Sequence, residues 1–138
     1  MTDFTEKEYN SSDYFPSDDY IRLDEDFFLK HPTLMNGNAF HDTLRGDGMV
    51  LTYEVYQKKG SEEIACFIKF GHRLNGHKGI VHGGIISTAF DNSFGWLFFT
   101  FDTYPAFTAN LSVNFRKPLY ENSTVILRAK IDSKSVSL

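Results

Sequence analysis

The stretch Gly79-Ile80-Val81-His82-Gly83-Gly84-Ile85-Ile86-Ser87-Thr88-Ala89-Phe90-Asp91-Asn92-Ser93-Phe94-Gly95 decides how this 138-residue chain is read. A histidine and two glycines stand at the mouth of a mostly apolar helix, expected from Gly83 to about Phe98. The first N–H groups of a helix have no intrahelical acceptor and can hold developing negative charge. One carboxylate, Asp91, follows inside the apolar run, where an uncompensated charge is costly to bury. A carboxylate in such surroundings is a candidate base. Gly84, Thr88, Asp91 and Gly95 recur at spacings of four, three and four, so they share one face. That stripe is small and polar, which leaves room for a ligand beside Asp91.

The length of the helix constrains the site. At about 1.5 Å rise per residue, Gly83 and Asp91 lie about 12 Å apart along the axis. A base and an oxyanion donor serving one carbonyl must each reach within about 3 Å of the reacting atoms. One helix therefore does not supply both to the same site. Two antiparallel copies related by a two-fold axis do, each lending its helix mouth to one site and its aspartate to the other.

The flanks supply a sheet. Met49 to Lys58 alternates, with Val50, Thr52, Glu54 and Tyr56 on one side and Leu51, Tyr53, Val55 and Gln57 on the other. Lys59-Gly60-Ser61 turns the chain, and Glu63 to Phe70 returns as a second strand. After the helix, Phe107 to Phe115 alternates again, Glu121-Asn122-Ser123 forms a turn, and Thr124 to Ile131 reads as a fourth strand. A helix apolar nearly all round must be wrapped. An antiparallel sheet curled about it is the expected α+β architecture. Residues 1–40 are set apart as an acidic, partly ordered extension, and 41–138 as the folded domain. Residues 1–30 carry nine of the 18 acidic side chains against three basic ones. Within them Ser17-Asp18 is placed to cap a short helix near Tyr20, with Phe27, Phe28 and Leu29 docking on the main body.

Composition excludes several classes. The formal net charge of -4 offers no basic stripe for nucleic acid. The single cysteine, Cys66, rules out an intrachain disulfide and a cysteine-based zinc site, and reads as a small buried hydrophobe. His72 and His77 have no partnering cysteine, so no metal site is expected. No run approaches the roughly 20 apolar residues of a membrane span, and no targeting segment is visible, which points to the cytoplasm or the mitochondrion.

The run Gly79 to Gly84 followed by Asp91 resembles the hotdog-fold acyl-CoA thioesterases. Thr108-Ala109-Asn110-Leu111-Ser112-Val113-Asn114-Phe115-Arg116-Lys117-Pro118 is similar to their second motif, close to the THEM4-like group and its fungal relatives. The resemblance runs from about Thr43 to Lys130. It implies a hotdog fold, a curved antiparallel sheet around one central helix, assembled as a homodimer or as a tetramer. It further implies hydrolysis of fatty acyl-CoA to fatty acid and CoA, with no cofactor beyond the coenzyme A of the substrate. The Gly83 N–H would polarise the thioester carbonyl, and Asp91 of the facing copy would act as general base or nucleophile. Thr108 would orient the water or the acid. His82 is the remaining catalytic candidate, although fixing the turn before the helix is the role its position favours. Gly84, Asn75, Asn110, Arg116 and Lys117 are candidate substrate-binding residues, the last two for the phosphates of coenzyme A.

Two departures temper that expectation. Relatives continue with one or two strands beyond the position of Lys130, so the C-terminal part of the sheet is expected to be short. Phe94, Trp96, Phe98, Phe99 and Phe101 make the helix end bulky, which favours core over a shortened acyl tunnel. The rival reading is a hotdog protein that binds acyl-CoA, or regulates through it, without cleaving it. A hydratase on the same fold ranks last, because its histidine and acid would have to converge on one carbon.

Overall fold

The computed structural model describes residues 8–102 and 106–135. In chain order it forms α1 (Ser11–Tyr14), β1 (Tyr20–Arg22), α2 (Asp24–Lys30), β2 (Val50–Lys58), β3 (Glu63–Phe70), β4 (Asn75–His77), β5 (Ile80–Val81), α3 (Gly83–Phe101) and β6 (Thr124–Lys130). A 3₁₀ turn (Pro32–Met35) and one π-helical turn (Ala39–Thr43) join α2 to β2. The main sheet is antiparallel with strand order β1-β2-β3-β6, and β4 and β5 form a separate small hairpin. An antiparallel sheet with a 19-residue helix laid against it is the architecture of a hotdog fold.

Alternation explains the layers. From β3, Ile64, Cys66, Ile68 and Phe70 face α3 together with Tyr53 and Val55 of β2 and Leu127 and Ala129 of β6. They bury Ala89, Trp96 and Leu97 of the helix. The opposite parity of β3, Ala65 and Phe67, turns to the other face, where Phe15 and Tyr56 cover it. β3 is therefore buried on both sides, and its apolar run is nearly continuous. β2 departs from strict alternation. A register shift between Val50 and Thr52 puts Val50 in the same cluster as Tyr53, so it does not share a face with Thr52, Glu54 and Tyr56.

Two further expectations are corrected. Tyr20 begins a strand, and the helix starts four residues later at Asp24. The sheet decides this: Tyr20, Ile21 and Arg22 pair with Lys58, Gln57 and Tyr56, and the buried Asp24 carboxylate accepts the Val55 N–H at 2.9 Å. Phe107 to Phe115 is not a strand, and residues 106–119 join no ladder. A strand needs a neighbour for its N–H and C=O groups, and this segment pairs with neither of the sheet's outer strands, β1 and β6. The sheet covers one face of α3, and on the other Phe94 and Phe99 remain 43% and 60% exposed.

Candidate active site

At the mouth of α3, His82 is the N-cap: its Nδ1 accepts the Gly84 N–H at 2.8 Å. That bond places the proton of the neutral ring on Nε2. The His82 carbonyl accepts the N–H groups of Ile85 and Ile86. Of the four first-turn donors, three are thus satisfied locally. The Gly83 N–H alone has no acceptor among the described residues. A side chain at Gly83 would meet the ring of Phe115 at 3.5 Å, so that ring lies over the helix mouth.

Two turns further along, Asp91 is half-buried and lines two cavities, so there is open space beside it on the small polar stripe. Thr108 Oγ1 donates to Asp91 Oδ1 at 2.5 Å, which ties the segment after α3 to the helix. Two cavities meet at this pair. One, of about 430 Å³, runs from Asp91 and Thr108 towards Phe27, Phe28, His41 and Trp96. The other, of about 540 Å³, runs towards Phe94, Phe98, Asn110 and Leu111. Asp91, Gly95, Phe99, Ala106, Phe107 and Thr108 line both.

The remaining candidates are scattered. Gly84 lies beside Gly83, with its N–H committed to His82. Asn75 donates from its Nδ2 to Glu121 at 2.7 Å, and its buried Oδ1 has no partner among the described residues. Asn110 is exposed on the wall of the larger cavity. Arg116 and Lys117 are exposed in the irregular segment before β6. A single copy thus unites Asp91 with Thr108 and His82 with Gly83, and leaves the two pairs at opposite ends of a helical run of about 12 Å.

The structure adds residues that the sequence did not single out. His41 Nε2 accepts the Trp96 indole N–H at 2.9 Å and lies 3.1 Å from Asn92 Nδ2. Indole and amide nitrogens are donors, so Nδ1 carries the ring proton. Burial, reinforced by the Arg45 charge and opposed by that of Asp24, lowers His41 to about 4. Behind this wall Tyr53 Oη and Ser93 Oγ are 2.7 Å apart, and Tyr53 Oη is 3.5 Å from Cys66 Sγ. Burial pushes the Cys66 thiol up to about 11, so it stays a thiol. Among the described residues no cluster of His, Cys, Asp and Glu could hold a metal ion, and no helix is long and apolar enough to cross a membrane.

A profile of the Thioesterase superfamily matches residues 78–136, the stretch that contains Gly83, Asp91 and Thr108. That stretch of the chain is similar to the thioesterase superfamily. Over 104 residues the chain is 29% identical to acyl-coenzyme A thioesterase THEM4 of Rattus norvegicus, covering 75% of this chain and 44% of that protein. The THEM4 of Bos taurus is 28% identical over 86 residues, 62% of this chain and 35% of that protein. A Candida albicans (strain WO-1) protein named "Uncharacterized protein, mitochondrial" is 29% identical over 128 residues, 91% of this chain and 50% of that protein. The chain spans at most half the length of these three relatives.

Proposed function

We propose that the protein is an acyl-CoA thioesterase that acts as a homodimer. The observation that carries this reading is the Asp91 carboxylate, held by Thr108 where two apolar-walled cavities meet. The names of the THEM4 relatives supply the substrate class. In each site the free Gly83 N–H of one copy binds the thioester oxygen and gains strength as negative charge develops there. Asp91 of the facing copy takes a proton from water as the water oxygen attacks the carbonyl, or attacks the carbonyl itself to give an anhydride that water then hydrolyses. In either route the coenzyme A thiolate departs and the free acid is left. The Thr108 hydroxyl, donating to Oδ1, fixes the carboxylate and leaves Oδ2 to face the substrate. His82 acts on the turn through its capping bond. Arg116 and Lys117 meet the phosphates of coenzyme A. Neither metal nor redox cofactor takes part. The printed name of the Candida albicans relative favours the mitochondrion as the site of action.

The test is Asp91→Ala and Asp91→Asn assayed for thiol release from a range of acyl-CoA esters. The expected loss is at least about 100-fold in kcat, within the usual range for removing a general base. Unchanged turnover by Asp91→Ala would exclude this mechanism. Acyl-CoA binding by calorimetry with no thiol release from the unaltered protein would instead favour a non-catalytic acyl-CoA-binding protein.

A further inference from the structure

The segment before β2 is built into the smaller cavity. Phe27 and Phe28 of α2, Leu34 of the 3₁₀ turn and His41 of the π-helical turn line its far wall, and Asp91 and Thr108 stand at its mouth. The wall is rigidly assembled. Phe27 and Phe28 pack edge-on against Trp96 at 5.3 and 5.8 Å between ring centres, and Phe28 lies 4.9 Å from the His41 ring. α2 is anchored in turn at Asp24, which accepts the Val55 N–H and pairs with Arg22 at 3.2 Å.

The chemistry of the wall selects its occupant. The Trp96 indole N–H, which would otherwise address a polar ligand, is consumed by His41 Nε2, and Asn92 Nδ2 lies against the same nitrogen. With the indole N–H and His41 Nε2 satisfied by each other, Phe27, Phe28, Leu34 and Trp96 form the apolar part of a lining that also carries Asn38 and Asn92. An apolar chain laid against those side chains is favoured by the water-exposed surface it removes.

We infer that the segment from Asp24 to Thr43 is a chain-length gauge: the cavity it closes receives the unbranched apolar acyl chain, which enters at Asp91 and ends against Phe28, Leu34 and the His41–Trp96 pair. This deepens the thioesterase reading and rests on it for the identity of the ligand. The segment's contribution to the protein is then specificity in addition to anchoring.

The experiment uses the full chain and non-hydrolysable S-alkyl-CoA thioethers of increasing length, with affinity read by calorimetry. Affinity is expected to rise about fourfold per added methylene, the usual gain for burying one such group, and then to level off. Leu34→Trp, at a partly exposed position that tolerates a larger ring, fills the cavity and moves the plateau to shorter chains. Phe28→Ala moves it to longer ones. A plateau at the unaltered length in Leu34→Trp, or affinity independent of chain length in the unaltered protein, overturns the inference. Leu34→Trp decides the matter even where Phe28→Ala fails to fold. The thioesterase reading is tested separately by the same series of thioesters. Hydrolysis with an unmoved plateau defeats the gauge alone. A displaced plateau without hydrolysis of any ester defeats the catalytic reading and leaves the gauge standing.

Discussion

His41 shows how little a single letter conveys. Nothing in the sequence near it marks it out, yet its ring accepts from Trp96, which lies 55 positions away, beside the same wall as Asp91. Its lowered pKa has a consequence for stability. The unfolded chain takes up a proton near the ordinary histidine value of about 6.5, whereas the folded ring resists until about 4. Between those values the unfolded state binds more protons, so stability is full above about pH 6.5 and is lost as pH falls towards 4. His41→Gln retains an acceptor for the indole and does not titrate. It should flatten the fall in denaturation midpoint between pH 6.5 and 5, a window above the range in which ordinary carboxylates titrate. An unchanged slope in that window would remove His41 as its cause. Cys66 behaves as its residue type and neighbours foretold, as a buried thiol, because a strand interior is decided locally by alternation.

At the scale of elements, regular alternation and helical periodicity served well where the partner was adjacent in sequence. The hairpin β2–β3, the helix from Gly83 and the strand β6 follow from pattern, because local pairing and a continuous apolar face leave few alternatives. Pattern failed where a distant neighbour decided. Tyr20–Arg22 became a strand because β2 offered an edge, whereas Phe107 to Phe115 pairs with no strand of the sheet. The anchoring of α1 can be measured. Phe15, immediately after that helix, is 4% exposed and stacks on Tyr56 at 4.5 Å between ring centres. Phe15→Ala should cost about 3 kcal/mol, the low end for emptying a buried ring site. Urea unfolding monitored by far-UV circular dichroism would report it, and a loss below about 1 kcal/mol would show that α1 adds little to the sheet.

At the scale of the molecule, the proposed mechanism needs a second copy. Under it Gly83 and Asp91 serve different sites, and the helix face that the sheet leaves open carries Phe94 and Phe99. A mixing experiment tests the two-fold arrangement. Gly83→Pro removes the candidate oxyanion N–H at the first helical position, where proline is tolerated, and the preceding His82 already has φ -60 and ψ 132. Gly83→Pro and Asp91→Asn should each be inactive alone. Refolded together they should recover about a quarter of full activity, because half of the dimers are mixed and each mixed dimer holds one intact site. No recovery would place both groups in one copy's site. The sequence alone determined the helix, its two chemical ends and the hairpin beside it, since each depends on neighbours within a few residues and on a fixed rise per residue. Only the tertiary structure decided which N–H is left free at the helix mouth, that Thr108 holds Asp91, and that the acidic N-terminal segment lines a cavity at the candidate base. Those outcomes depend on contacts between residues tens of positions apart, which periodicity does not encode.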